Sequence, residues 1–172
     1  SVDMLGSNAK AIIASLNGCF SNSKREVQQL LKDIFHLPIS LGLIATTAKR
    51  VNDKLVGVYG QIQEEIQTSP SLHIDETGHK NRDKRGWCWV FTTKEHTLLK
   101  LLHSRGKQVL ADTLPGYQGK VISDRYSVYN YFPAHKRQLC WAHLARNYQR
   151  LAHSCNSALA CQGKRLVDIA YQ

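Results

Sequence analysis

The sequence predicts a mixed α/β sheet with flanking helices, preceded by a small helical segment. Apolar residues recur at helical spacing between Val27 and Ile66 and again after Ala142. Between those stretches lie short runs rich in strand formers, some of them alternating apolar and polar residues as a strand with one buried face does. Thr68-Ser69-Pro70, Pro115-Gly116 and Pro133 punctuate the pattern where one element must end and the next begin.

In chain order, Ala9 to Leu16 reads as a helix ended by Asn17-Gly18. Val27, Leu30, Leu31, Ile34 and Phe35 line one apolar face of a second helix. Ser23 followed by Glu26 is the capping-box arrangement that would start it. His36-Leu37-Pro38-Ile39 breaks this helix, and Ser40 is placed to cap another near 41–50. Helix, turn, helix is the outline of a DNA-reading motif, but simple packing accounts for it as well. Leu55, Tyr59, Ile62 and Ile66 then keep a helical stripe as far as Gln67, weakened by Gly57 and Gly60.

Ser71 to Asp75 is the first expected strand. Leu72 and Ile74 share one face, and Ser71, His73 and Asp75 share the other, so Glu76 should point away from Asp75. His79 to Arg85 is charged and reads as a loop or hairpin tip. Trp87 to Thr92 and Thr97 to Leu102 complete a three-stranded meander, and Ser104 to Leu114 reads as a helix. A strand from Lys120 to Asp124 follows, then a short aromatic helix from Tyr126 to Phe132. A strand at Gln138 to Trp141 precedes helices at 142–151 and 159–171. Three strands, helix, strand, helix, strand, helix is the order of an RNase H-like domain. In that fold the first and fourth strands are neighbours, which would bring together Asp75 and Asp124 from 49 residues apart. Two strands that each finish in a carboxylate suit a hard divalent cation such as Mg²⁺. The alternative is that each aspartate only caps a strand or starts a turn.

Composition narrows the partners. Residues 1–75 carry seven Lys/Arg and seven Asp/Glu, whereas residues 76–172 carry sixteen against six, so the second part holds the whole net charge of +10. A basic region beside paired carboxylates points to a polyanion, most simply nucleic acid, although a merely soluble basic face has the same composition. No apolar run is long enough to cross a bilayer, and no signal-peptide pattern opens the sequence. Five scattered cysteines argue against a disulfide framework and for a reducing cytosol.

Four ordered blocks carry a resemblance. They are Asp75-Glu76-Thr77; Gly86-Trp87-Cys88-Trp89-Val90; Gly119 to Tyr126 with Tyr129-Asn130; and Cys140-Trp141-Ala142-His143-Leu144-Ala145-Arg146. Together they resemble the IS-sixty-six family of bacterial insertion-sequence transposases, over roughly Lys24 to Leu151. The resemblance implies a DDE-type transposase core in which Asp75 and Asp124 are the first two catalytic, metal-holding carboxylates. It implies Mg²⁺ or Mn²⁺ as cofactor, cleavage of transposon ends and strand transfer into target DNA. It further implies a homo-oligomer in the synaptic complex and a bacterial cytoplasmic, nucleoid-associated setting with no membrane. The division it suggests is a helical segment at 1–69, the first part of the core at 70–141 and the start of a helical insertion at 142–172.

The third carboxylate of such enzymes is a downstream glutamate, and here no glutamate follows Glu95. Asp168, in the helical run Leu166 to Ala170, is the last carboxylate, and the resemblance implies that the chain stops inside the insertion. An inactive DNA-binding remnant and an RNase H-like nuclease are therefore the competing functions. Lys80, Arg82, Lys84 and Arg85 are expected to touch the DNA backbone, as are Arg125, Arg146 and Arg150. Cys140 and His143 make a single C-x-x-H pair, too few ligands for zinc. A structural role is expected for them, with Cys140 and Trp141 buried and His143 hydrogen-bonded.

Overall fold

A computed structural model of the chain describes residues 5–81 and 83–171. They fall into two compact units divided after Gly60.

The first unit holds α1 (Ser7–Gly18), α2 (Lys24–Phe35) and the beginning of α3 (Leu41–Thr68). The capping box forms: Ser23 N–H donates to Glu26 Oε2 at 2.6 Å, and Glu26 N–H to Ser23 Oγ at 3.2 Å. After α2 the chain turns through His36, whose φ of 52° is left-handed, and Leu37 N–H reaches back to Leu31 O at 3.0 Å. Ser40 Oγ accepts from Leu43 N–H and opens α3 as expected. Ile13, Val27, Leu31, Ile39 and Ile44 form the core. Only the first part of the α2 stripe is buried, because Ile34 and Phe35 are exposed. The stretches 41–50 and 51–67 are a single helix: a methyl group at Gly57 or Gly60 would meet nothing within 4 Å, so neither glycine marks a crossing or a break. Its expected stripe divides, Leu55 and Tyr59 being exposed, while Ile66 is buried and Ile62 half-buried in the core of the second unit.

The second unit is built on a five-stranded mixed sheet. Its strands are β1 (Ser71–Asn81), β2 (Lys84–Thr92), β3 (Thr97–Leu102), β4 (Lys120–Ser123) and β5 (Arg137–Leu139), in spatial order β3-β2-β1-β4-β5. β1, β2 and β3 form an antiparallel meander, and β4 and β5 run parallel to β1 on its other side. This is the RNase H-like arrangement expected from the element order. Leu72 and Ile74 point to one face with Trp89, Phe91, Leu98 and Val121. They pack there on Val109 and Leu110 of α4 (Gln108–Thr113) and on Tyr129. His73, Asp75 and Thr77 point to the other face and are exposed.

Several expectations are corrected. Of the two readings of the charged stretch 79–85, loop or hairpin tip, the hairpin holds and the stretch is mostly strand, because the ladder continues past the core through His79↔Gly86 and Lys80↔Arg85. The helix expected from Ser104 begins only at Gln108. Ser104 and Arg105 are drawn to the sheet instead: Trp89 Nε1 donates to Ser104 O at 3.0 Å, and Arg105 turns to Glu76. Strand β5 stops at Leu139, because Cys140 N–H bonds across to Ser123 O at 2.7 Å and α5 (Trp141–Ala152) starts at once. Trp141 is therefore exposed rather than buried, and Cys140 is half-buried. The aromatic stretch after Asp124 is a 3-10 turn at Ser127–Tyr131. α6 (Ser157–Ala170) closes against α5, with Gly163 buried beside Leu151 and Ala152. All five cysteines are free thiols. Among the described residues no helix is long and apolar enough to cross a membrane.

Candidate active site

Strands β1 and β4 pair in parallel with Ser71 opposite Lys120, Leu72 opposite Val121 and His73 opposite Ile122. Each pair is offset by 49 residues, the separation of Asp75 and Asp124. Carried two residues past the end of the ladder, the same offset would set the two aspartates level on adjacent strand lines about 4.8 Å apart. Asp75 projects from the open face with His73, and Asp124 is half-buried. Each carboxylate is held by a backbone donor: Glu76 N–H reaches Asp75 Oδ1 at 3.0 Å, and Tyr126 N–H reaches Asp124 Oδ1 at 2.8 Å.

Two concavities meet at this edge. One, of about 280 Å³, is lined by Asp124, Arg125, Cys140, His143, Asn147 and Arg150 among others. The other, of about 190 Å³, includes His73, Asp75, Ile122, Cys140 and His143. Cys140 and His143, at the start of α5, line both. His143 was expected to be hydrogen-bonded, yet its Nδ1 is buried and has no partner. A buried, unpaired ring nitrogen costs free energy unless a ligand or a proton donor completes it.

Beneath the aspartates lies a network that the sequence reading did not single out. The Glu76 side chain is 1% exposed, on the face opposite Asp75. Arg105 donates to its Oε1 from Nε at 2.9 Å and from Nη2 at 2.5 Å, and Tyr129 OH donates to its Oε2. The guanidinium carbon sits 4.5 Å from the Trp87 ring centre and 4.0 Å from that of Tyr126. The hydrogen bonds to Glu76 hold the Arg105 guanidinium above its ordinary pKa. Burial, and then the Glu76 carboxylate, push the Tyr129 phenol far up, with Asp124 and Asp75 adding to the effect. A signal for this network was present: alternation places Glu76 with Leu72 and Ile74, and a glutamate inside needs a cation or several donors.

The expected DNA-contacting side chains separate into two groups. Lys80, Lys84 and Arg85 are exposed at the far end of the β1–β2 hairpin, while Arg82 lies outside the described residues. Lys80 is five residues beyond Asp75, so the basic tip stands about 17 Å from that carboxylate along the strand. Arg125 and Arg150 line the Asp124 cavity; Arg146, one turn before Arg150 on α5, is exposed. Asp168 is exposed on α6. Among the described residues no three His, Cys, Asp or Glu side chains are grouped to hold a metal ion.

A family model described as the transposase IS66 family matches residues 13–172, and the chain belongs to that family. A search of curated proteins finds no match, and a search of solved structures finds none either.

Proposed function

We propose that the second unit is a DDE-type DNA transposase core that cleaves the phosphodiester backbone at transposon ends and transfers the freed strand to target DNA. Asp75 and Asp124 are its acting carboxylates. The observation that carries this reading is the common 49-residue offset of the β1–β4 ladder and the aspartate pair. It is supported by membership of a transposase family.

The donor set fits a hard divalent cation. Asp75 lies on β1 and Asp124 directly follows the neighbouring β4, and Mg²⁺ is ordinarily held by one or two carboxylates, with waters and substrate phosphates in its other positions. When bound, the ion supplies Lewis-acid activation of water or a 3′-hydroxyl and stabilises charge on the leaving oxygen. The chain's own residues do the rest. The Glu76 and Tyr126 N–H groups fix the carboxylate oxygens, Arg125 and Arg150 offer charge to a phosphate beside Asp124, and the hairpin tip grips the duplex farther along. At about 3.4 Å per nucleotide step, 17 Å is about five steps from the carboxylates. Joining two ends in one synaptic complex calls for at least two copies of the chain.

A second reading, DNA binding without cleavage, is favoured by one observation: no third metal-ligating side chain is grouped with the aspartates among the described residues. The two readings separate on Mg²⁺- or Mn²⁺-dependent nicking of DNA that carries the element's own ends. Nicking that is abolished by both Asp75→Ala and Asp124→Ala supports the transposase core. Retained DNA binding without nicking supports the binding protein.

A further inference from the structure

We infer that Arg105, Glu76 and Tyr129 form a positioning cluster that sets the two carboxylates relative to each other, an inference that rests on the reading of Asp75 and Asp124 as the metal-holding pair. The backbone donor to Asp75 belongs to Glu76, and the backbone donor to Asp124 belongs to Tyr126. The side chains of those two donors meet on one group. Glu76 takes both Arg105 hydrogen bonds, and the Tyr126 ring covers the guanidinium at 4.0 Å. The path Asp75–Glu76–Arg105–Tyr126–Asp124 thus connects the two carboxylates through contacts on the buried side of the sheet. Tyr129 braces it twice, by its hydroxyl on Glu76 Oε2 and by its ring edge-on to Tyr126, with centroids 6.3 Å apart at 87°.

Stability alone is a poor account of this arrangement. A buried ion pair is commonly no more stabilising than apolar side chains of the same volume, because desolvation offsets the Coulomb gain. What the pair provides that apolar packing does not is direction. A planar, forked guanidinium between two rings holds Tyr126 at a set distance from Glu76, and with it the turn that presents Asp124. The β1–β4 ladder does not do so, since its pairing ends at His73 and Ile122, two residues short of the aspartates. These three residues are positioning residues; none of them is assigned contact with substrate.

The test uses the full chain and two readouts: Mn²⁺ affinity followed by the resonance of free Mn²⁺, and hydrogen exchange of the Tyr126 amide. Arg105→Lys keeps the charge but loses the fork and the flat stack, and Tyr129→Phe removes one hydroxyl. Tyr117→Phe is the control, because it removes a half-buried hydroxyl bond, to Ser69 O at 2.8 Å, outside the cluster. Arg105→Lys and Tyr129→Phe are expected to weaken Mn²⁺ binding about tenfold, the low end for loss of an outer-shell partner, and to accelerate Tyr126 exchange. Tyr117→Phe should leave both unchanged. Wild-type affinity and exchange in Arg105→Lys and Tyr129→Phe would overturn the inference, as would equal changes in Tyr117→Phe. Mn²⁺ binding that is absent, or indifferent to Asp75→Ala, while Tyr126 exchange still accelerates, would leave the positioning intact and defeat the metal reading beneath it.

Discussion

Glu76 and Arg105 are 29 residues apart in sequence and meet through two hydrogen bonds on a single carboxylate oxygen, one of them at 2.5 Å. The glutamate is 1% exposed and the arginine 36% exposed, so the two partners are unequal in what their loss would cost. Arg105→Met would strand a buried carboxylate with only the Tyr129 hydroxyl and is expected to destabilise the protein by about 2–4 kcal/mol. Glu76→Leu would leave a guanidinium that can turn to water and should cost less. The double variant should be more stable than Arg105→Met alone, since no charge is then left buried. Urea unfolding of the four proteins at one pH measures the cycle; additive losses would mean that the pair is not coupled.

Two glycines separate conformational freedom from close packing. Gly57 lies inside α3 with open space where a Cβ would stand, so Gly57→Ala should stabilise that helix by about 0.5–1 kcal/mol. Gly163 on α6 faces the α5 backbone, and a methyl there would overlap Ala152 N and the Leu151 carbonyl carbon. Gly163→Ala should therefore destabilise by about 1–3 kcal/mol through a displaced α5–α6 pair. Thermal unfolding of the two variants should move in opposite directions.

These contrasts also show what the sequence could and could not convey. The placing of Asp75 and Asp124 at neighbouring strands was legible because alternation fixes which residues share a face, and the element order fixes which strands are neighbours. The Ser23–Glu26 box was legible because its chemistry is local. The β1–β2 arm was not, since residues 79–85 have the composition of a solvated loop. Their pairing is inherited from the register of Ile74↔Phe91 and Asp75↔Val90 deeper in the sheet. Arg105 was hidden for a related reason. Its role depends on Glu76, Trp87 and Tyr126, which only the folded sheet brings together, and helix propensity around it suggested an ordinary first turn. Trp141 misled in the opposite sense, because an aromatic read as the end of a short strand suggests a core position, whereas the chain has already turned into α5.

The Ser23–Glu26 box has a pH signature. The backbone and side-chain hydrogen bonds from Ser23 lower the Glu26 pKa below its ordinary 4.5. A folded-state pKa that is depressed gives stability that is present above the unfolded value and is lost as pH falls through the folded one. Glu26→Ala, which removes the carboxylate that accepts from Ser23 N–H, should therefore fray the start of α2 near neutral pH, and its difference from the wild type should shrink as pH falls through the folded-state value. Amide exchange of Val27 across an acid titration checks this, and a difference that grows on acidification would contradict it.

The hairpin tip should contribute to DNA affinity through charge alone. Lys80, Lys84 and Arg85 are exposed, and Lys80 and Arg85 face each other across the ladder, so the tip presents like charges that repel until a polyanion arrives. Each phosphate neutralised on a duplex adds about 0.9 to the slope of log affinity against log salt. Replacing the three by alanine should lower that slope by about 2–3 and weaken binding to all DNA sequences alike, since phosphate contacts carry no base information. Arg150→Ala, at the Asp124 cavity, should lower the slope by about 1. Its larger effect should fall on nicking, because Arg150 lines the cavity of Asp124 whereas the tip stands about 17 Å along the arm from Asp75. Salt titrations of binding with specific and unrelated duplexes measure both; an unchanged slope in the triple variant would remove the hairpin from the DNA-binding surface.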